Sequence, residues 1–115
     1  MSELFSLEGQ VALVTGAGRG MGLGIAETLA RLGATVAIND FYPERAEAAV
    51  QQLTEQGLKA IAAPADVTNY EAVQGMVAEI EAQVGGIDIF VSNAGVPVDG
   101  MGYRKFIESS REDWT

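Results

Sequence analysis

The sequence predicts an open, doubly wound α/β fold built on a parallel sheet, and three observations carry the prediction. Short apolar runs that read as buried strands alternate with stretches whose apolar residues recur at helical spacing. The alternation is strict, strand then helix, and ends on a strand. Such an order requires right-handed crossovers between parallel strands. Each helical stretch also closes on glycine, at Gly33, Gly57 and Gly85-Gly86.

Val11-Ala12-Leu13-Val14 is the first strand, apolar at every position and therefore covered on both faces. A glycine-rich turn follows, and Ile25, Ala26, Leu29, Ala30 and Leu32 then mark a helix. Thr35-Val36-Ala37-Ile38 is the second strand. Pro43 suits the first turn of the next helix, where its missing N–H costs nothing. Ala46, Ala49, Val50 and Leu53 form that helix's buried stripe. Residues 59–63 make a weaker third strand. Thr68 and Glu71 have the spacing of a capping box, ahead of a helix carrying Val73, Met76, Val77, Ile80 and Val84. Residues 87–91 are the fourth strand. Val96 to Ile107 reads as a loop, and Ser109 and Glu112 again have capping spacing, with a helix expected to begin near Ser110.

Composition removes several functions. A chain of 115 residues is one domain or part of one. Its apolar fraction of 48% suits a globular protein. With no Cys there is no thiol nucleophile and no zinc-thiolate site, and with no His there is no imidazole base. No metal site is expected. Seven Lys and Arg against sixteen Asp and Glu leave a net charge of −9, which argues against a nucleic-acid partner. Solubility is the plainest reading of that acidity. No apolar run reaches the length of a membrane span, and the start lacks the basic end and apolar stretch of a signal peptide. The chain therefore reads as soluble and cytoplasmic, with no membrane partner.

The turn after the first strand, Thr15-Gly16-Ala17-Gly18-Arg19-Gly20-Met21-Gly22, meets three demands together. The chain reverses tightly, the backbone can approach a phosphate without a Cβ in the way, and the helix can sit close to the sheet. The helix start presents unpaired N–H groups and a positive dipole end, which suit a pyrophosphate. The spacing is not G-x-G-x-x-G, because Met21, Leu23 and Ile25 stand where a third glycine would be needed. No Gly-Lys pair exists, so a P-loop is excluded. What stands is T-G-x-x-x-G-x-G, from Thr15, Gly16, Gly20 and Gly22. The rival reading is a flexible turn with no ligand.

These residues, with Asp66-Val67 after the third strand and Ser92-Asn93-Ala94-Gly95 after the fourth, resemble the short-chain dehydrogenases/reductases along the whole chain. Ser92 departs from the commoner first Asn of that last turn but keeps a donor and acceptor. Gly24, just inside the first helix, is a smaller departure that costs up to about 1 kcal/mol relative to alanine. The resemblance implies a Rossmann-like sheet of strand order 3-2-1-4, truncated after the fourth strand. Residues 1–115 would be the N-terminal part of a single NAD(P)-binding domain. It also implies cofactor contacts at Gly16, Arg19, Gly20, Met21, Gly22, Asp40, Asp66, Val67, Asn93, Ala94 and Gly95.

Asp40, at the end of the second strand, can accept hydrogen bonds from the adenosine ribose hydroxyls and would repel a 2′-phosphate. Its alternative is a carboxylate at a helix start with no ligand role. Arg19 either contacts a 2′-phosphate, as a basic residue in this loop can in the family, or points to solvent or pairs with a carboxylate. Asp40 is the stronger determinant, so the expected cofactor is NAD rather than NADP. Asp66 either contacts the adenine or caps the following helix. Asn93 either orders the sheet beside the cofactor or is a turn residue.

The family's catalytic proton passes through a Tyr with a Lys four residues on, the cation favouring the phenolate. Here Tyr42 leads to Ala46, Tyr70 to Gln74 and Tyr103 to Ile107, and neither Lys59 nor Lys105 follows a tyrosine at that spacing. The relay Asn of the family is missing too, although Glu112-Asp113-Trp114 resembles the start of its helix. Tyr103 and Arg104 lie in the loop without an assigned role. No catalytic residue is therefore expected in this chain.

The favoured reading is the cofactor-binding part of an NAD(P)-dependent oxidoreductase whose full-length parent acts on a small carbonyl or alcohol. A non-catalytic dinucleotide-binding module, or half of a split protein, is the alternative. A methyltransferase is disfavoured by Thr15, where that class carries an acid, and by the residue 92–95 turn. With the fourth strand at an edge and one sheet face short of helices, the isolated chain is expected to be marginally stable and to self-associate.

Overall fold

The computed structural model describes residues 6–93. Their elements are β1 (Val11–Val14), α1 (Gly20–Arg31), β2 (Thr35–Ile38), α2 (Pro43–Thr54), β3 (Ala60–Ala62), α3 (Tyr70–Val84) and β4 (Ile89–Val91). The strands form one parallel sheet in the order β3-β2-β1-β4. This is the Rossmann-like arrangement expected. The readings that fall on residues 94–115, including Ala94, Gly95, the loop with Tyr103 and Arg104, and the helix near Ser110, lie outside the described residues.

β1 is buried at every position because helices cover both sides of it. Successive side chains alternate faces. Ala12, Val14, Val36 and Ile38 pack with α1 and α2, through Ala26, Ala30, Ala46, Ala49 and Leu53. Val11, Leu13 and Ala37 pack on the other face with Val73, Met76, Val77 and Ile80 of α3.

Four details differ from the sequence reading. The stripe that α1 buries is Gly22, Ala26 and Ala30, while Ile25 and Leu29 are only half-buried. Small residues let the helix sit close to the sheet, and the branched ones are turned aside. α2 ends at Thr54, and Gly57 closes the turn beyond it at φ +82°. The cap of α3 is Asn69, whose Oδ1 accepts from Ala72 N at 3.1 Å, rather than Thr68. Thr68 is held elsewhere: its hydroxyl donates to Asp66 Oδ1 at 2.6 Å. β4 begins at Ile89 rather than Ile87, because Asp88 Oδ2 accepts from Val11 N at 2.8 Å in place of a ladder carbonyl.

β3 and β4 are the sheet edges among the described residues. Ile89, Phe90 and Val91 are half-buried rather than fully open. The large apolar side chains that are exposed, Met21, Phe41, Tyr42 and Tyr70, lie outside the sheet. No helix among the described residues is long and apolar enough to cross a membrane.

Candidate functional site

The carboxyl ends of β1, β2, β3 and β4 open on one cavity of about 500 Å³, within the usual range for small-molecule sites. Its lining includes Gly16, Arg19, Gly20, Asp40, Asp66, Val67 and Asn93, all expected from sequence. In an open parallel sheet this is where ligands bind, outside the strand ends where connections diverge to opposite faces.

The floor is the turn from β1 into α1. Gly16 and Gly20 have φ of +63° and +61°, a backbone region that a Cβ disfavours. Gly22 serves a different purpose. A Cβ there would overlap Gly16 O and lie 2.6 Å from Asn93 Nδ2. The first turn of α1 can therefore rest on the glycine turn only because residue 22 has no side chain. No side chain caps the helix start at Arg19, so its N-terminal N–H groups and dipole end meet the loop directly. That is the donor arrangement a pyrophosphate requires.

Strand β2 supplies the second wall. Asp40 is 6% exposed. Its Oδ2 accepts from Gly18 N at 3.2 Å and its Oδ1 from Tyr42 N at 3.0 Å. Each oxygen retains accepting capacity for a further donor. Gly18 was not singled out by the motif, yet a Cβ at that position would fall 2.5 Å from Asp40 Oδ2. The glycine makes room for the carboxylate, and only the fold reveals that the two residues meet.

Asn39 is the other residue that sequence reading missed. It is buried, and its Oδ1 accepts from Gly16 N at 3.4 Å. Its Nδ2 lies 2.9 Å from Ala63 O, 3.3 Å from Ala65 O and 3.3 Å from Met76 Sδ. One amide thus ties the glycine turn to the segment after β3 and to α3. A polar residue at the end of an apolar strand is the signal that could have drawn notice.

The third wall is the turn after β3. Asp66 Oδ1 accepts from both Thr68 N at 2.9 Å and Thr68 Oγ1 at 2.6 Å. The Thr68 hydroxyl, then its N–H, hold the Asp66 carboxyl below its ordinary value near 3.8. Asp66 does not cap α3, since Asn69 does. The fourth wall is the exit of β4: Asn93 N donates to Thr15 Oγ1 at 2.9 Å, and Asn93 Nδ2 approaches Gly16 O at 3.4 Å. Asn93 therefore anchors β4 to the glycine turn.

Two expected residues are not brought to the cavity wall. Gly22 lies beneath it, and Met21 faces a separate shallow groove with Gly24, Ile25, Thr28 and Leu29. Phe41, Tyr42 and Arg45 line the cavity without having been anticipated.

The profile of the short chain dehydrogenase family matches residues 10–115. The chain belongs to the short-chain dehydrogenase family. Among curated relatives, it is 40% identical over 114 residues to the 5-keto-D-gluconate 5-reductase of Escherichia coli strain K12, covering 99% of this chain and 43% of that protein. It is 46% identical over 112 residues to the gluconate 5-dehydrogenase of Gluconobacter oxydans, covering 97% of this chain and 42% of that one. Among solved structures, a gluconate 5-dehydrogenase from Burkholderia cenocepacia in complex with NADP and tartrate superposes with a TM-score of 0.76 at 38% identity, over 96% of this chain and 45% of that one. A hydroxysteroid dehydrogenase from Escherichia coli superposes with a TM-score of 0.79 at 33% identity, over 86% of this chain and 44% of that one. This short-chain dehydrogenase sequence spans less than half the length of the relatives it matches. Its family binds NAD or NADP.

Proposed function

We propose that this chain is the N-terminal part, over residues 1–115, of a single NAD(P)-binding domain in an oxidoreductase that transfers hydride between a nicotinamide and a hydroxyl/carbonyl pair. The observation that carries the reading is the cradle itself: an uncapped helix start, glycines at positive φ, and a buried carboxylate around one cavity. The bound dinucleotide would supply the hydride acceptor or donor. Gly16, Gly20 and the first turn of α1 hold its pyrophosphate, with Met21 and Gly22 contributing backbone. Asp40 takes the adenosine ribose, and Asp66 and Val67 bound the adenine. Asn93 borders the cofactor where β4 leaves the sheet, and Arg19 lies at the phosphate side; the family resemblance gives Ala94 and Gly95 a cofactor contact too. No Tyr-x-x-x-Lys pair lies in this sequence, so its own residues bind and orient without moving the proton.

NAD is the preferred cofactor, because the Asp40 charge lies where a 2′-phosphate would sit. The gluconate-named relatives support a small polyhydroxy acid as the substrate of the longer protein. Apolar β4, at the sheet edge among the described residues, supports self-association.

Calorimetric titration of the chain, with its fold checked by circular dichroism, tests the reading. NAD is expected to bind more tightly than NADP, and Asp40→Asn to narrow the gap by about tenfold, the loss of one close like-charge contact. A folded chain that binds neither dinucleotide contradicts the cofactor role. Tighter NADP binding contradicts the assignment of Asp40.

A further inference from the structure

Resting on that reading, we infer that Asn39 is a positioning residue: its buried side-chain amide holds Gly16 so that the glycine turn has its pyrophosphate-binding shape before the dinucleotide arrives.

Four of the seven residues from 16 to 22 are glycine, so a free turn would have much backbone freedom to lose on binding. The exit of β2 removes part of that freedom in advance. Three successive N–H groups of the turn are held by two successive residues. Gly16 N donates to Asn39 Oδ1 at 3.4 Å, Ala17 N to Asn39 O at 2.7 Å and Gly18 N to Asp40 Oδ2 at 3.2 Å. Asn93 Nδ2 lies 3.4 Å from Gly16 O, so a side-chain amide grips each polar group of Gly16. The N–H groups of residues 16–18 are therefore spent inside the protein. Those left for a phosphate belong to the first turn of α1, where no intrahelical partner exists.

The surroundings of Asn39 call for an amide. Its Nδ2 faces three acceptors, Ala63 O at 2.9 Å, Ala65 O at 3.3 Å and Met76 Sδ at 3.3 Å, while Oδ1 faces the Gly16 donor. That division fixes which way the amide points. The residue is 1% exposed, and both ends of its side chain are committed, so it acts through the turn rather than on the cofactor. Leucine, of similar size, would leave Gly16 N without its acceptor. Aspartate would keep the acceptor and lose the donors. The segment after β3 has ties of its own: Ala63 N donates to Ile38 O at 2.8 Å and Ala65 N to Asp40 O at 3.2 Å. Loss of the Asn39 amide therefore frees the glycine turn more than the wall at Asp66.

Amide-shift titrations with NAD, and with adenosine, which carries no phosphate, test this on the wild-type chain, Asn39→Leu and Asn39→Asp. Asn39→Leu is expected to weaken NAD about five- to tenfold, the loss of one hydrogen bond, and to leave adenosine within about twofold. Asn39→Asp should recover most of the ratio between the two affinities, because Gly16 N keeps its acceptor. A fold that had merely loosened would weaken both ligands alike. Hydrogen exchange on the ligand-free wild-type chain needs no variant: the Gly16 N–H should be protected at least about tenfold more than the Met21 N–H. A ratio within about twofold of wild type in Asn39→Leu overturns the inference and leaves the cofactor reading standing. So does an equal loss in Asn39→Asp, or equal protection of the two amides. Should a variant not fold, the exchange comparison decides. Absence of NAD binding by the folded wild-type chain overturns both.

Discussion

Asp66 shows how a single residue can be tuned by its neighbour. Thr68 donates both its hydroxyl and its N–H to one carboxylate oxygen, and the carboxyl is held below its ordinary value near 3.8. The folded state therefore favours the carboxylate. The stabilisation it contributes is present above the unfolded value and is lost as pH falls through the folded one. An NMR titration should find Asp66 half-protonated below pH 3.8 and Thr68→Ala moving it back toward that value. An unmoved midpoint in the variant would show that the hydroxyl is not the cause. At this scale the sequence was legible where a residue's place follows from its position after a strand, as for Asp40, Asp66 and Asn93, which all line the cavity. It was silent where the role depends on a distant partner. Nothing in the spacing of Gly18 tells that Asp40 will approach it, or that the Asn39 amide will span Gly16, Ala63 and Met76.

The elements follow their periodicities, and their ends depend on local competition for hydrogen bonds. Thr68-x-x-Glu71 and Asn69-x-x-Ala72 are both plausible starts for α3. Asp66 captures the Thr68 hydroxyl, which leaves Asn69 to cap the helix. Asn69→Ala is expected to destabilise the chain by about 1 kcal/mol in chemical denaturation, whereas a value near zero would mean the cap is redundant. Asp88 likewise replaces a ladder acceptor at the start of β4, which alternation of apolar residues could not reveal. The contact of α1 with the glycine turn is the tightest of these junctions. Gly22→Ala should cost about 1–3 kcal/mol through overpacking against Gly16 O and weaken dinucleotide binding with it. A stable variant with wild-type affinity would show that the helix start can shift without consequence.

The architecture of the whole molecule was the most legible level. A β1 that is apolar throughout demands cover on both faces, and α1 and α2 on one side with α3 on the other provide it. Strict alternation of strands and helices left few topologies open, and strand order β3-β2-β1-β4 matched the one that the family resemblance implied. The balance of surface is less readable from sequence, because it depends on what packs against β4. If its edge is a pairing surface, sedimentation velocity should show mass rising with concentration. A single monomeric species across a hundredfold range, together with a sharp cooperative melt, would contradict self-association.

The four strand ends are proposed to converge on a dinucleotide. Amide chemical-shift mapping on a labelled chain titrated with NAD tests it most directly. Saturable shifts are expected at Gly16, Gly20, Asp40, Asp66 and Asn93, with the outer face of α3 from Gln74 to Glu81 unaffected. Shifts confined to other surfaces, or none in a folded sample at millimolar NAD, would contradict it.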